Sequence, residues 1–268
     1  MTKYRPFLKW AGSKYNCLNE VLSMLSPGKR LIEPFSGSGV IFMNTDYPAY
    51  LMAEGNADLV FIFKILQEQG EAFIDYCQQY FTPEKNDKEY YYEARHQFNS
   101  LPLSPERAAL FLYLNRHGYN GLCRYNSKGI YNVPFGLYVK PYFPRKEMLY
   151  FHQKCKNTEF LHHDFRDTFR LAEPGDVIYC DPPYVPVNDK TKPLPYLKKQ
   201  FNEADQIELA ALAEESATRG IRVLISNHDT LFTRKHYQKA TIKSFPVARW
   251  ISCQTQLRQP VKELLALF

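Results

Sequence analysis

The sequence predicts an α/β protein with a mostly parallel sheet that helices cover on both faces. Strand-like and helix-like patterns alternate along most of the 268 residues, which is typical of parallel strands joined by helices. The clearest unit lies in 202–226. There Asn202 is a suitable N-cap with Asp205 at the third helical position, and Gly220 ends the helix before a strand.

Seven short segments are the strand candidates, of which the first two are short apolar runs. In chain order they are Arg30–Phe35, Tyr50–Glu54, Thr158–His162, Asp176–Cys180, Ile221–Ser226, Thr241–Phe245 and Val261–Phe268. The first two are each followed by a helical pattern, as expected for strands that enter a sheet side by side. Ligands of such open sheets bind at the carboxyl ends of the strands, so residues that follow each strand are the candidates for a site.

The middle of the chain departs from this alternation. Helices are predicted near 71–81, 87–100 and 105–117. Residues 119–138 then mix glycines and Pro134 with alternating polar and aromatic residues, which indicates a β-hairpin or a loop. Five prolines between 182 and 195 make 182–200 an irregular loop. The prediction is an α/β core formed by 1–56 and 145–268, with a mostly helical insert at 57–144.

Composition excludes several classes of protein. The hydrophobic share of 45% and the charged share of 23% are ordinary for a soluble globular chain. The longest uninterrupted apolar run, Ala108–Leu114, is far too short to span a membrane, and no apolar stretch follows the N-terminus. The six cysteines show no CxxC spacing, which argues against a zinc site and a disulfide scaffold. We therefore expect reduced thiols, a cytoplasmic location and no bound metal.

Charge is distributed unevenly along the chain. The net charge is +6, yet the window from Arg107 to Lys146 contains seven Lys or Arg and no Asp or Glu. The same window holds nine aromatic residues and several Asn, a mixture suited to phosphates, base edges and stacking. A solvated basic face is the alternative interpretation of this pattern. Composition thus indicates an acidic polymer as the partner and no more.

Two motifs follow predicted strands. The turn Glu33–Gly39 has the sequence EPFSGSG, and its glycines let a ligand lie against the backbone where a strand becomes a helix. It is neither GxGxxG nor a P-loop, and a plain turn would also explain it. The second motif, Asp181-Pro182-Pro183-Tyr184, follows the strand Asp176–Cys180. It holds together a carboxylate, a carbonyl and an aromatic face, as a planar exocyclic amine would require.

These motifs occur in an order that resembles the Dam type of bacterial DNA adenine methyltransferases, the D12 class. The matching segments are Phe7–Lys14 (FLKWAGSK), Glu33–Gly39, Leu114–Asn126 (LNRHGYNGLCRYN), Asn132–Gly136 (NVPFG), Asp181–Tyr184 (DPPY), Ser226–Asp229 (SNHD) and Glu263–Leu267 (ELLAL). The resemblance covers nearly the whole chain. It implies a Rossmann-like methyltransferase sheet as the catalytic domain and a DNA-recognition insert that bears a β-hairpin.

The resemblance further implies transfer of a methyl group from S-adenosyl-L-methionine to N6 of adenine in double-stranded GATC. The target base would leave the helix and enter the DPPY pocket. We expect a monomer, associated with the nucleoid, that uses no metal. Adenine N6 is a poor nucleophile because its lone pair is delocalised into the ring. Hydrogen bonds from N6 to Asp181 and to the Pro182 carbonyl would favour a more pyramidal nitrogen, so positioning is the main contribution to catalysis.

The resemblance assigns roles by position. The catalytic residues are Asp181, Pro182 and Tyr184. The methyl-donor contacts are Trp10, Ala11, Gly12, Lys14, Phe35, Ser36, Gly37, Ser38, Gly39, Glu54, Asp164, Phe165 and Asp181. The DNA contacts are Lys9, Arg95, Arg116, Tyr119, Asn120, Leu122, Arg124, Asn126, Asn132, Pro134 and Tyr138. Among these, Tyr119 would fill the gap left by the flipped base, and Arg124 would bind guanine O6 and N7.

The chain departs from the family at a few positions. The family usually has Gly at Ser13, Asp at Glu54, a bulky apolar residue at Gly55, and often basic residues at Leu137 and Val139. The last two departures predict weaker anchoring of phosphates, and the changes together predict weaker methyl-donor binding or a salt-sensitive enzyme, so that Glu54→Asp would gain donor affinity.

Three alternatives remain open at this point. The first is an adenine methyltransferase of a restriction–modification system with a different target. The second is a DNA-binding relative that has lost turnover. The third and weakest is an enzyme that acts on RNA.

Overall fold

The computed structural model describes residues 3–184, 201–247 and 261–268. Within these ranges the strands are β1 (Arg30–Glu33), β2 (Ala49–Ala53), β3 (Thr158–Leu161), β4 (Asp176–Cys180), β5 (Arg222–His228), β6 (Thr241–Val247) and β7 (Val261–Leu267). All seven predicted strands are confirmed, and their ends differ from the predicted ends by no more than about two residues. The predicted loop 182–200 lies mostly outside the described residues.

The strands form one sheet in the order β3-β2-β1-β4-β5-β7-β6. Neighbouring strands from β3 to β5 are parallel, whereas β7 is antiparallel to both β5 and β6. The mostly parallel sheet that the sequence predicts is therefore confirmed. Because the parallel strands share one direction, the segments that follow β1, β2, β3, β4 and β5 emerge at the same edge.

The helices in chain order are α1 (Leu18–Leu22), α2 (Ala57–Gln69), α3 (Glu71–Gln78), α4 (Lys88–Ser100), α5 (Pro105–His117), α6 (Arg145–Lys154), α7 (Phe165–Arg170), α8 (Glu203–Thr218) and α9 (Leu231–His236). The three helices predicted in the middle of the chain correspond to α3, α4 and α5. The predicted start of α8 is also confirmed, because Asn202 and Asp205 form a reciprocal capping box. No helix among the described residues is long and apolar enough to cross a membrane.

The core divides into two clusters, one on each face of the sheet. In β4, Val177 and Tyr179 belong to the cluster that also contains α2, α5 and α6, whereas Ile178 and Cys180 belong to the cluster with α7 and α8. This alternation follows from the period of two along a strand, and it explains why all five residues of β4 are buried. Helix α5 is buried from Ala108 to His117 because α2, α3 and α4 surround it.

Residues 119–138 form a loop with two isolated antiparallel bridges, Gly118 to Phe135 and Tyr125 to Tyr131, and not a regular hairpin. The loop is held by side chains of α4. Asn99 bonds both the amide (2.8 Å) and the carbonyl (3.0 Å) of Tyr131. Tyr91 and Arg95 of α4 donate to the carbonyl of Val133 over 3.0 and 2.9 Å. Because these side chains satisfy the backbone groups, the loop needs no continuous strand ladder.

Candidate active site and DNA-facing surface

A cavity of about 650 Å³ opens where β1, β2 and β3 end. Its walls on the sheet side come from the residues after each strand. These are Pro34 and Phe35 after β1, Glu54, Gly55 and Asn56 after β2, and His162, His163, Asp164 and Phe165 after β3. Its volume lies within the usual range for small-molecule sites, and its position is the one at which open α/β sheets bind ligands. Four of the residues predicted to contact the methyl donor line it, namely Phe35, Glu54, Asp164 and Phe165.

The glycine turn after β1 is a second part of this site. Gly37 has φ +48°, and a Cβ atom there would lie 3.1 Å from Cδ1 of Trp10, so glycine allows the indole to pack against the turn. Glu54 accepts hydrogen bonds from the amides of Gly37 (3.1 Å) and Gly55 (2.9 Å). The structure thus brings together Trp10, Glu54 and the turn, three predicted elements that are distant in sequence.

The cavity offers polar groups at one end and aromatic rings at the other. Burial raises the pKa of Glu54, although the amides of Gly37, Asn56 and Gly55 act in the opposite direction. The rings of Phe35 and Phe165 stack with centroids 5.6 Å apart. In the described structure the buried hydroxyl of Ser36 has no hydrogen-bond partner. Such a group is one that a bound ligand would satisfy.

Asp181 lies directly after β4, and its carboxylate is oriented from two sides. Lys14 Nζ lies 2.8 Å from Asp181 Oδ1, and Ser226 Oγ lies 2.9 Å from the same oxygen. Burial by itself lowers the pKa of Lys14, but Asp181 and Glu263 outweigh this effect and the pKa is raised. Lys14 therefore stays charged and holds the carboxylate in place.

Tyr184 completes this part of the site. Its hydroxyl donates to Glu263 Oε2 over 3.2 Å, and its ring lies edge-on to His228 with centroids 4.7 Å apart. Lys14 Nζ is 4.6 Å from the ring centroid. Burial raises the pKa of the Tyr184 phenol well above its ordinary value, so the residue acts as a neutral aromatic surface. Burial likewise raises the pKa of Cys180, which excludes this thiol as a nucleophile near neutral pH.

The segment Lys9–Lys14 links the cavity to the insert. The backbone amide and carbonyl of Lys9 both bond the side chain of Asn115 over 2.8 Å. Lys9 Nζ lies 4.1 Å from the ring centroid of Tyr138. A Cβ atom on Gly121 would lie 2.3 Å from Cδ of Lys9, so only glycine allows this close approach. Within six residues the chain therefore contacts the loop 119–138, the glycine turn and Asp181.

Several predicted DNA contacts face solvent on the insert. Tyr119, Asn120 and Pro134 are exposed, and Leu122 is partly exposed. Arg124 is held in place by Asn132, which accepts from its Nε over 2.8 Å through the side chain and from its Nη2 over 3.1 Å through the backbone. This surface combines an aromatic ring, amide groups and an oriented guanidinium.

Other predicted DNA contacts bond to backbone groups of the protein itself. Arg116 is buried and donates twice to the carbonyl of Phe7, and burial lowers its pKa to about 10. Arg95 donates to the carbonyl of Val133 over 2.9 Å. Asn126 accepts from the amides of two later loop residues and closes the tip of the loop. Arg95 and Asn126 therefore hold the loop, although Asn126 stays exposed to solvent, and Arg116 ties α5 to the N-terminal segment.

Sequence reasoning missed two groups of residues. One is the ion pair of Arg107 and Asp58, which Tyr125 joins through a 2.7 Å hydrogen bond to Asp58 and which lines the cavity from the insert side. The other is a set of buried polar residues behind the DPPY loop, of which Gln206 donates to the carbonyl of Pro183 over 2.6 Å. A polar residue on the buried side of a helix or strand is the sequence feature that could have pointed to these residues. That feature does not say which group the side chain contacts.

The fold and the site define an α/β enzyme whose ligand cavity and Asp-Pro-Pro-Tyr loop share the carboxyl edge of a parallel sheet. A family model described as D12 class N6 adenine-specific DNA methyltransferase matches residues 10–251, and the chain belongs to this family. The resemblance found in the motifs is confirmed.

Similar curated proteins match over the whole chain. The DNA adenine methylase of Escherichia coli (strain K12) is 44% identical, with 100% of this chain and 96% of the relative covered. Those of Vibrio cholerae serotype O1 and Serratia marcescens are each 45% identical and are covered over 97% and 100% of their lengths. The protein is an adenine-specific DNA methyltransferase.

Proposed function

We propose that the enzyme transfers the methyl group of S-adenosyl-L-methionine to N6 of adenine in the sequence GATC of double-stranded DNA. The main support is the DPPY loop, where the carboxylate of Asp181 is oriented by Lys14 and Ser226 and is followed by the carbonyl of Pro182. These two acceptors match the two N–H groups of an exocyclic amine. The neighbouring cavity supplies room for the donor at the same edge of the sheet.

The residues around the cavity fit the donor. Glu54 would accept from the ribose hydroxyls, and Asp164 with Phe165 would contact the adenine ring. The turn Phe35–Gly39 would hold the methionine part, where the hydroxyl of Ser36 has no hydrogen-bond partner among the described residues. Trp10, Ala11, Gly12 and Lys14 would close the site from the N-terminal segment. When bound, the donor supplies an electrophilic methyl group on its sulfonium centre.

The reaction then depends on positioning by this chain. Asp181 and the Pro182 carbonyl accept hydrogen bonds from the amine, so the N6 lone pair turns out of the ring and towards the methyl group. Tyr184 presents a neutral ring face on which the base stacks. A reacting pair held in line contributes several kcal/mol to catalysis, roughly 7–11 in favourable cases, without a covalent intermediate.

The insert would select the target. We propose that residues 57–144 form the recognition domain and that 1–56 with 145–268 form the catalytic domain. Tyr119, which is 51% exposed, would enter the helix as the adenine leaves it. Arg124 would exchange its bonds to Asn132 for O6 and N7 of a guanine, and Leu122 with Pro134 would contact a thymine methyl group.

The remaining DNA roles divide into direct and indirect ones. Lys9, Asn120 and Tyr138 would contact the recognition site, whereas Arg95, Asn126 and Asn132 would act by shaping the loop and Arg116 by holding α5 against the N-terminal segment. We further propose that the enzyme works as a monomer in the cytoplasm, associated with the nucleoid.

The test uses purified protein, tritiated S-adenosylmethionine and three matched duplexes. The first contains one GATC, the second has GTTC in its place, and the third carries N6-methyladenine on both strands of GATC. Label on the first duplex alone is the expected result. Label on the first and second would contradict the GATC assignment, and label on the first and third would contradict transfer to N6. Donor binding without label on any DNA would contradict turnover.

A further inference from the structure

We propose that Ser226 and Asn227 of β5, together with Gln206 of α8, are positioning residues for methyl transfer. We call these three residues the acceptor scaffold. They orient the two hydrogen-bond acceptors of the DPPY loop from the side of the protein core. The inference rests on the proposed function, because it assigns to the scaffold a part in the reaction at Asp181 and Pro182.

Ser226 acts on the carboxylate. It lies one residue beyond Ile225, which pairs with Cys180 across the parallel strands β4 and β5. Its Oγ lies 2.9 Å from Asp181 Oδ1, and the buried hydroxyl of Tyr179 lies 3.2 Å from the same Oγ. The strand register therefore places a buried hydroxyl directly beside the residue that follows β4.

The contacts divide the two carboxylate oxygens of Asp181 between different tasks. Oδ1 is bound by both Lys14 Nζ (2.8 Å) and Ser226 Oγ. Within the described part of the chain, no hydrogen bond to Oδ2 is found. With Oδ1 fixed by two donors, the plane of the carboxylate is set and Oδ2 is directed to the amine. A single donor would leave the group free to rotate about its last bond.

Gln206 and Asn227 act on the prolines. Neither Pro182 nor Pro183 has a backbone N–H, so only their carbonyls can be held by hydrogen bonds. Gln206 Nε2 donates to the Pro183 carbonyl over 2.6 Å, and Asn227 Nδ2 donates to Gln206 Oε1 over 3.0 Å. Asn227 also bonds the hydroxyl of Tyr237.

All three residues of the acceptor scaffold are at least 95% buried. Fixing the Pro183 carbonyl limits rotation of the whole proline segment, including the neighbouring carbonyl that accepts from N6. A misplacement of about 1 Å in a positioned group can lower a rate by about 100-fold. Loss of either arm of the scaffold, Ser226 at the carboxylate or Gln206 with Asn227 at the prolines, should therefore lower the rate of methyl transfer.

The experiment compares Ser226→Ala and Gln206→Met with wild type and with Ser216→Ala. Ser216 is the matched control, because it is a buried serine of α8 with 3% exposure that lies outside the DPPY loop contacts. For each protein, single-turnover methylation is measured with saturating donor on unmethylated plasmid DNA that the wild type labels. Dissociation constants for donor and DNA and the melting temperature are measured in parallel.

The expected result is a methylation rate at least tenfold lower in Ser226→Ala and Gln206→Met, with both dissociation constants within twofold of wild type. Ser216→Ala should match the wild-type rate. Rates within twofold of wild type would overturn the proposal. A rate loss matched by an equal loss of donor or DNA binding, or unfolding of both variants at the assay temperature, would also overturn it.

The two variants remove different arms of the scaffold, so either one tests the proposal if the other does not fold. Failure of the proposed function is detected separately, in the wild-type labelling of the GATC and GTTC duplexes. The scaffold is tested on whichever DNA the wild type methylates.

Discussion

The ion pair of Arg107 and Asp58 joins α5 of the insert to α2, and its burial makes it a strong candidate for a stability test. Arg107 contacts both oxygens of Asp58, over 2.6 and 3.1 Å, and also donates to the carbonyl of Leu101 over 2.7 Å. The exposed side-chain fractions are 15% for Arg107 and 9% for Asp58. The pair Arg145–Asp75 has the same 2.6 Å separation, but its side chains are 37% and 63% exposed.

We expect Arg107→Met to lower the free energy of unfolding by about 3 kcal/mol, because it leaves Asp58 as a buried carboxylate without its cation. Arg145→Met should cost about 0–1 kcal/mol, since water screens that pair. Arg and Met have similar helix propensities, so the substitution itself does not perturb either helix. A loss of 3 kcal/mol corresponds to a fall in melting temperature of about 6–12 °C for a chain of this size.

The assay is urea denaturation followed by circular dichroism, at low salt and again at about 0.5 M NaCl, where exposed pairs are screened. The Arg107→Met loss should persist at high salt, and the smaller Arg145→Met loss should vanish. Equal losses below about 1 kcal/mol for both variants would refute the argument that burial, at the same separation, decides the contribution of the pair.

Three further predictions concern the buried Glu33 of β1, the cavity residue Glu54 and the exposed residues Leu137 and Val139. Burial raises the pKa of Glu33 from 4.5 to about 8. In the pH window between these two values the folded protein keeps a proton that the unfolded chain loses, so the free energy of unfolding falls as pH rises. The stability of Glu33→Gln relative to wild type should therefore increase by about 1.4 kcal/mol per pH unit inside the window, and equal pH slopes in urea titrations would contradict this. The family's usual Asp predicts tighter methyl-donor binding in Glu54→Asp, whereas the structure predicts the opposite, because the shorter carboxylate retracts from the amides of Gly37 and Gly55. Calorimetry should show donor binding about tenfold weaker, and unchanged affinity would argue against the role of Glu54 at the glycine turn. Leu137 and Val139 are 81% and 98% exposed, so changing each to Arg should steepen the dependence of DNA affinity on log salt by about 0.9, whereas Leu171→Arg, at a site 41% exposed beside Arg30 at the start of β1, should not. The same slope in all three variants would place Leu137 and Val139 away from the DNA.

The sheet could be predicted from the sequence because its central strands, such as β2 and β4, are short apolar runs with clear boundaries. The loop at 119–138 could be predicted only as a hairpin or a loop, since its backbone partners include Asn99 and Arg95, which precede it by about 30–40 residues. Local patterns carry no information on such distant contacts.

In the candidate site, too, local motifs could be predicted and distant contacts could not. Asp181 and the glycine turn are recognisable as motifs that follow strands. The role of Arg116 depends instead on the carbonyl of Phe7, 109 residues away, and Ser226 reaches Asp181 only because β4 and β5 are neighbours. Residues whose role depends on strand order or on a distant backbone group therefore require the structure.

The placement of β7 between β5 and β6 has a consequence for folding during synthesis. Both partners of β7 precede it in the chain, so β6 has no place in the sheet until 261–267 have left the ribosome. Until then one edge of β5, with its apolar residues Val223, Leu224 and Ile225, stays open to pairing with other chains. A nascent chain stalled before residue 261 should therefore be a strong chaperone client, and its acceptor scaffold should remain unformed until the last strand is inserted.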